Sequence, residues 1–200
     1  MAIKNIIFDF GGVLLDWNPR YLFEKLIDDE SELHHFLTNV CSPEWNIEQD
    51  RGRTLAEATQ VLQKQFPEYH DLIQAYYDRW EEMIPGAIEK NVKLLYRLKE
   101  KYPVYGLTNF SNETLPVAMD RFSFFSEFDG IVCSGDEKLI KPDHAIYHLL
   151  LDRFGIKAEE SLFIDDSHPN ILAANELDIH TIQFVEGVDL EQELKNRNLL

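Results

Sequence analysis

Hydrophobic positions change their spacing along the chain, and each change predicts a different kind of secondary structure. A short apolar run ends at Phe8 and is followed at once by Asp9 and two glycines, which is typical of a buried strand that turns sharply. Between residues 18 and 84 the apolar positions recur at helical spacing, and we find no strand pattern there. From residue 85 onwards, strand-like runs alternate with helical stretches.

The pattern predicts a parallel α/β fold with an all-helical insert after the first strand. Strands that alternate with helices imply parallel pairing and right-handed crossovers. After the first strand, the predicted strands cover 104–108, 130–133, 161–164 and 181–184. The predicted helices cover 19–28, 31–37, 54–66, 69–83, 87–102, 113–122, 143–154, 170–177 and 189–198, and Pro116 is expected to disturb one of them.

Composition narrows the classes of partner. The chain has 200 residues, 44% of them hydrophobic, and a net charge of -17. A field of that sign repels nucleic acid and anionic membranes, so neither is an expected partner, and an anionic substrate would need a local cation. No apolar run approaches the roughly 20 residues of a membrane span. No signal peptide is readable, and Cys41 and Cys133 lack metal-like spacing. These features favour a reducing, cytoplasmic location.

Three carboxylates follow strands that we expect to be parallel. Asp9 ends the first strand, and Asp165 and Asp166 end a later one. The carboxyl ends of parallel strands meet at one edge of a sheet, so these side chains are expected to converge. Three carboxylates that close need a cation, and an all-oxygen set suits Mg²⁺. The alternatives are a loop cap for Asp9 and a solvated turn for the Asp165–Asp166 pair.

Weaker signals come from two further stretches. Thr108 and Asn109 end the strand at 104–108, and both side chains can donate hydrogen bonds to phosphate oxygens. Lys141 precedes a helix and could balance a carboxylate and a phosphate. The alternatives are turn chemistry for Thr108 and Asn109 and an ordinary surface charge for Lys141.

Four short motifs in this order resemble the haloacid dehalogenase superfamily of hydrolases, in the branch with a helical cap inserted after the first strand. The motifs lie at residues 8–14, 107–109, 141–143 and 163–167. The resemblance covers nearly the whole chain. It implies a Rossmann-like, HAD-like parallel sheet core formed by residues 1–17 and 85–200, with a helical cap domain at residues 18–84.

The resemblance also implies roles for the phosphate-handling residues. Asp9 is similar to the nucleophile that takes up the phosphoryl group as an aspartyl phosphate. Thr108, with Asn109 beside it, is similar to the motif that holds the phosphate oxygens. Lys141 is similar to the lysine that orients Asp9 and balances its charge.

The same resemblance implies a Mg²⁺ site. Asp166 is similar to the metal-binding carboxylate, and Asp165 is its partner in the same motif. Asp9 and the backbone carbonyl of Gly11 would complete the protein ligands.

Gly11 is the one serious departure from the phosphatase pattern. Phosphatases of this superfamily usually carry a second Asp two residues after the nucleophile, as general acid and base, and here that position is Gly11. Loss of such a group typically costs roughly 10²–10⁴-fold in rate. Asp16 and His168 are candidate replacements that the sequence does not rank.

Residues 50–53 are the expected specificity loop of the cap. This stretch is polar and contains a glycine, and Arg51 and Gly52 are its candidate contacts. Trp17 lies where the chain enters the cap and is a candidate contact for the leaving group, with core packing as the alternative. Trp80 is expected to pack between helices.

The sequence therefore favours a Mg²⁺-dependent phosphatase acting on a small phosphorylated metabolite, such as a sugar phosphate or a nucleotide-like phosphomonoester. One alternative is a 2-haloacid dehalogenase, which uses the same Asp nucleophile without a metal. The other is a non-catalytic relative that binds a phosphorylated ligand. Substrate identity and oligomeric state stay open.

Overall fold

Short apolar strands build the central sheet. The computed structural model describes residues 2–200. The strands are β1 (Asn5–Phe8), β2 (Leu15–Asp16), β3 (Gly86–Ala87), β4 (Val104–Thr108), β5 (Gly130–Cys133), β6 (Ser161–Asp165) and β7 (His180–Gln183). Five of them form one parallel sheet in the order β5–β4–β1–β6–β7, which confirms the predicted α/β class.

Strand β1 lies at the centre of the sheet, and its register sets the position of the site. Phe8 pairs with Gly106 on one side and with Ile164 on the other. The residues that follow these strands therefore emerge at the same edge. All four residues of β1 are buried, so the carboxylate that follows is held at the centre of a buried layer.

Helices cover the sheet and form the insert. They are α1 (Arg20–Phe23), α2 (Glu30–His35), α3 (Pro43–Asp50), α4 (Leu55–Gln65), α5 (His70–Asp78), α6 (Glu89–Lys99), α7 (Leu115–Arg121), α8 (Ser134–Glu137), α9 (His144–Phe154), α10 (His168–Glu176) and α11 (Leu190–Asn196). Single turns of 3₁₀-helix lie at Pro67–Tyr69, Trp80–Met83, Ser123–Glu127 and Ala158–Glu160, and a π-helix lies at Phe36–Val40. Across residues 2–200, none of the helices is both long and apolar enough to cross a bilayer.

Two predicted helices of the insert differ from the structure. The stretch predicted at 19–28 holds only the short α1, and the one predicted at 69–83 is an α-helix with 3₁₀ turns on either side. Pro116 does not disturb α7, because it sits in the first turn, where the missing N–H has no partner to lose.

Helix α3 is absent from the sequence-based prediction. The Ser42 hydroxyl accepts a hydrogen bond from the Trp45 amide at 3.2 Å, and Pro43 occupies the first turn. A Ser cap followed by Pro is a helix-start signal, although proline also ends helices. The last residue of this helix is Asp50.

A two-stranded antiparallel ribbon joins the insert to the sheet. Leu15 of β2 pairs with Ala87 of β3, and Asp16 pairs with Gly86. The chain therefore enters and leaves the helical segment through one narrow ribbon. Residues 18–84, from here on called the insert, contain helices and turns but no strand among the residues that the structure describes.

Aromatic packing locks the turn after β1 into the core. The Phe10 ring makes edge-to-face contacts with Phe125 and Phe128, with ring centroids 4.9 and 5.2 Å apart. Gly106 of β4 leaves room for this ring, since a Cβ there would lie 2.5 Å from it. Buried apolar side chains continue from this cluster into the insert without a break.

Candidate active site

Lys141 is the buried cation at the centre of the site. Its side chain is fully buried, and its Nζ lies 2.9 Å from Asp9 Oδ1 and 2.6 Å from Asp165 Oδ2. The ammonium also donates a hydrogen bond to the Leu107 carbonyl at 2.9 Å. A buried ammonium is tolerated only when its charge and its protons are matched in this way. Lys141 therefore fixes where the Asp9 carboxylate points.

Asp165 is committed to this ion pair. It is fully buried, and its oxygens accept hydrogen bonds from Asn170 Nδ2 at 3.1 Å and from the Ser167 amide at 2.8 Å. The expected metal-binding role competes with these contacts. The structure places Asp165 between Lys141 and Asn170, which makes it a group that positions the lysine.

Asp166 points the other way, towards the open edge of the sheet. Its side chain lies across Gly12, where a Cβ would come within 2.3 Å of Asp166 Oδ2. Gly12 has a φ of +71°, so this turn favours glycine for both its backbone and its contact. One oxygen from each of Asp9, Asp165 and Asp166 lies within 4.8 Å of the others. An all-oxygen set of this kind fits Mg²⁺.

The electrostatics of the cluster call for additional positive charge. Burial raises the pKa of Asp9 to about 7, an effect that Lys141 opposes and Asp165 reinforces. Burial and the neighbouring Asp165 also raise the pKa of Asp166. Burial works against the charge of Lys141, but Asp165 and Asp9 outweigh it and raise the pKa of the lysine. One lysine does not fully neutralise three carboxylates, so a divalent cation would stabilise their ionised forms.

Thr108 presents a hydroxyl with no protein partner. It ends β4 and is 1% exposed, and its Oγ1 is the one buried side-chain oxygen or nitrogen without a hydrogen bond across residues 2–200. Buried polar groups are almost always satisfied, so an orphan at the sheet edge points to a ligand oxygen.

The Asn109 side chain makes hydrogen bonds that differ from the expected ones. Its Nδ2 donates to the Lys141 carbonyl at 2.9 Å, and its Oδ1 accepts from the Lys141 amide at 2.8 Å. Both ends of the side-chain amide are therefore used. The expected phosphate contact through this side chain is not what the structure shows, and Asn109 instead anchors the backbone of the catalytic lysine candidate.

A cavity of about 100 Å³ lies between the sheet edge and the insert. Four aromatic side chains line it, those of Trp17, Tyr77, Trp80 and Phe110, and we call it the aromatic cavity. Trp17, the candidate contact for the leaving group, is therefore one of the residues that line the cavity. Trp80 packs edge-to-face on Phe110 and also lines the cavity, a role that its helical spacing did not reveal.

The polar stretch at 50–53 meets the cavity through Asp50 and not through Arg51. Asp50 lines the cavity, whereas Arg51 is half exposed with its Nε 3.5 Å from Glu48 Oε1. Gly52 packs on the core, because a Cβ there would lie 2.8 Å from the Gly135 carbonyl oxygen. Of the stretch at 50–53, the structure therefore places Asp50 beside the cavity and leaves Arg51 away from it.

A family model described as haloacid dehalogenase-like hydrolase matches residues 3–178. The chain belongs to the haloacid dehalogenase-like hydrolases. This confirms the resemblance of the four motifs, the α/β fold and the assignment as an enzyme of this family.

Similar proteins extend over the full length of this hydrolase. A sesquiterpene phosphatase of Aspergillus oryzae is 25% identical and matches 97% of this chain and 96% of its own. A D-ribitol-5-phosphate phosphatase of Bacteroides thetaiotaomicron is 24% identical over 96% of this chain and 97% of its own. A family enzyme from the same bacterium, solved in complex with magnesium and inorganic phosphate, superposes with a TM-score of 0.74 at 24% identity, covering 96% and 99% of the two chains.

The two candidate replacements for the acid/base group lie outside the cavity of this hydrolase. Asp16 accepts a hydrogen bond from the Tyr21 hydroxyl at 2.9 Å. His168 is exposed at the start of α10, with its Nδ1 3.3 Å from Gln183 Oε1. Neither side chain lines the space beside Gly11.

Proposed function

We propose that this hydrolase is a Mg²⁺-dependent phosphatase that acts on a small phosphorylated metabolite through an aspartyl phosphate on Asp9. The observation that carries the proposal is the arrangement at the sheet edge. A buried lysine orients Asp9, an exposed carboxylate stands beside it, and the orphan hydroxyl of Thr108 faces the same edge. A nucleophile, a cation site and an oxyanion donor are the parts that phosphoryl transfer needs.

Asp9, Asp166 and the Gly11 carbonyl are the groups that would hold Mg²⁺. The ion would supply positive charge to the phosphate oxygens as negative charge builds up on them. Asp165 supports this arrangement indirectly, because its oxygens already serve Lys141 and Asn170.

The protein groups have distinct tasks in this scheme. The Asp9 carboxylate attacks phosphorus, and Lys141 keeps that carboxylate aligned and ionised. The Thr108 hydroxyl donates to a phosphate oxygen. Water then cleaves the aspartyl phosphate and releases inorganic phosphate. Fixed donors and charges aimed at the developing negative charge are typically the largest catalytic contribution.

The aromatic cavity receives the leaving group in this proposal. The curated relatives named for D-ribitol-5-phosphate and for sesquiterpenes show that polar and apolar leaving groups both occur among similar chains. A sugar phosphate or a nucleotide-like phosphomonoester remains our proposal for this chain.

Hydrolysis of p-nitrophenyl phosphate with Mg²⁺ and with excess chelator tests the proposal. We expect turnover with Mg²⁺, its loss in chelator, and its return when Mg²⁺ is added back. Halide release from a 2-haloacid without any metal would instead support the dehalogenase alternative. Tight binding of inorganic phosphate without turnover of any phosphomonoester would support a non-catalytic ligand-binding protein.

Changing Thr108 to Val is expected to weaken phosphate binding without harming the fold. A hydrogen bond to a charged group contributes about 1.5–3 kcal/mol, so the inhibition constant of inorganic phosphate should rise roughly 10- to 100-fold. The hydroxyl has no protein partner to lose, so the free energy of unfolding should fall by less than about 0.5 kcal/mol or rise.

Thr59→Val is the matched control, because Thr59 is a buried threonine of α4 in the insert. It should leave phosphate inhibition unchanged. A Thr108→Val enzyme with native phosphate inhibition would remove Thr108 from the phosphate site.

A further inference from the structure

The space beside Gly11 is open. A Cβ built on Gly11 meets no heavy atom of residues 2–200 within 4 Å apart from its two chain neighbours, and Gly11 lines the aromatic cavity. Phosphatases of the family usually carry their acid/base carboxylate at this position, whereas this chain has only the backbone of Gly11 there. An alcohol that leaves from phosphorus needs a proton, especially when it is a poor leaving group. The proton must then reach the cavity from another element.

Asp50 is the carboxylic acid that faces this cavity. It ends α3 of the insert and lines the same space as Gly11. Its side-chain contact within the insert is long, 3.5 Å from Asn46 Nδ2 to Asp50 Oδ2, and it makes no ion pair within residues 2–200. The contact of Gly52 with Gly135 holds the end of α3 against the core. The fold therefore places this carboxyl group at the cavity, where the Ser111 amide contacts it and no ion pair within the described residues neutralises it.

The surroundings of Asp50 suit a group that gives and takes a proton near neutral pH. Burial raises its pKa to about 7, while Lys141 and the Ser111 amide oppose the rise. The other titratable groups that interact with it are Tyr76 and Tyr77 on α5 and Cys133 at the end of β5. Burial raises the pKa of all three, so they stay neutral and Lys141 is the charged neighbour.

We propose that Asp50 is the general acid and general base of this hydrolase, supplied by the insert in place of the carboxylate that is absent at Gly11. The assignment rests on the proposed phosphatase function. It makes the insert part of the catalytic machinery as well as the wall of the leaving-group pocket.

The proton balance closes over the two half-reactions. As Asp9 bonds to phosphorus, the bond from phosphorus to the leaving oxygen breaks, and the protonated Asp50 gives its proton to that oxygen. The alcohol departs and leaves Asp50 as a carboxylate. Asp50 then takes a proton from the attacking water while the bond between phosphorus and Asp9 breaks. The products are an alcohol and inorganic phosphate, and both aspartates return to their starting states.

A comparison of leaving groups tests Asp50. Benzyl phosphate needs protonation of its leaving oxygen, and p-nitrophenyl phosphate does not. We expect D50N to lose roughly 10²–10⁴-fold in kcat/KM for benzyl phosphate and less than about 10-fold for p-nitrophenyl phosphate. Because the acid form of Asp50 exists below its pKa, the native-to-D50N ratio for benzyl phosphate should be largest below pH 7 and fall above it. D50S is a second variant with a smaller side chain.

Glu48→Gln is the matched control, since Glu48 lies on the same helix and pairs only with exposed Arg51. This variant should keep the native kcat/KM for both phosphates. A rescue experiment completes the design: G11D in the D50N background restores a carboxylate where the cavity has room, and should recover benzyl phosphate hydrolysis by at least about 10-fold.

Each outcome separates Asp50 from the wider proposal. An inactive native enzyme with p-nitrophenyl phosphate and Mg²⁺ would reject the phosphatase function itself. If the native enzyme is active and D50N and D50S lower kcat/KM equally for both phosphates, Asp50 is a structural or binding residue. If the native enzyme already has a much lower kcat/KM for benzyl phosphate than for p-nitrophenyl phosphate, no general acid operates.

Discussion

Replacing Asp9 with Asn is expected to lower kcat for p-nitrophenyl phosphate by roughly 10⁴-fold or more, the scale of loss seen when a covalent nucleophile is removed. The amide keeps the size of the side chain but cannot form an aspartyl phosphate. Lys141 lies 2.9 Å from Asp9 Oδ1, so the site is built around the carboxylate charge. The measurement is steady-state kinetics at saturating Mg²⁺, with trapping of acid-stable or borohydride-reducible phosphoenzyme.

Asp152→Asn is the matched control for this change. Asp152 is an exposed aspartate on α9 and has no ion pair within the described residues. Its variant should keep native kcat. If D9N retained more than about a tenth of native activity while circular dichroism showed a native fold, a covalent route through Asp9 would be excluded.

Replacing Lys141 with Met is expected to lower the free energy of unfolding by about 3–5 kcal/mol, the usual cost of breaking one side of a buried ion pair. Met fills a similar volume, so the loss is electrostatic. It leaves Asp9 and Asp165 facing each other without their shared cation. Urea denaturation without added metal measures the effect, and kcat should fall with it because Asp9 loses its alignment.

Lys99→Met provides the comparison for a surface pair. Lys99 Nζ lies 2.7 Å from Asp129 Oδ2, but both side chains are partly exposed, so the cost should stay below about 1 kcal/mol. Adding D165N to K141M should recover part of the lost stability, since one uncompensated charge disappears. Equal costs for K141M and K99M would show that burial does not strengthen the ion pair at the site.

Much of the fold followed from local pattern. The alternation of strands and helices after residue 85 predicted a parallel sheet, and this alone brought Asp9 and the Asp165–Asp166 pair to one edge. Period-2 geometry also separates Asp165 from Asp166, because neighbouring residues at a strand end point to opposite sides. The Asp165 side chain points inwards to Lys141, and the Asp166 side chain points outwards over Gly12.

Other features depend on contacts between distant parts of the chain. The amide of Asn109 is taken by the backbone of Lys141, 32 residues away, and no local signal distinguishes it from Thr108 as a phosphate donor. Asp50 belongs to the polar stretch predicted at 50–53 but was not singled out there, because α3 was not predicted. Ser42 and Pro43 mark the start of this helix, and the helix ends at Asp50. The packing of Gly52 on Gly135 then decides which side chain at the end of α3 faces the core.

The ribbon formed by β2 and β3 has a consequence for how such enzymes diversify. Asp16 and Gly86 are paired neighbours, so the segment between them starts and finishes at one point on the core. A segment attached in this way can be replaced as a unit, because a replacement of any length would close the same short gap without shifting a strand of the sheet. Exchange at this junction would leave Asp9, Lys141 and Thr108 in place. It would carry away Asp50 and three of the four aromatic side chains that line the cavity, so under the proposed mechanism a transplanted segment would bring its own leaving-group selectivity and its own proton donor.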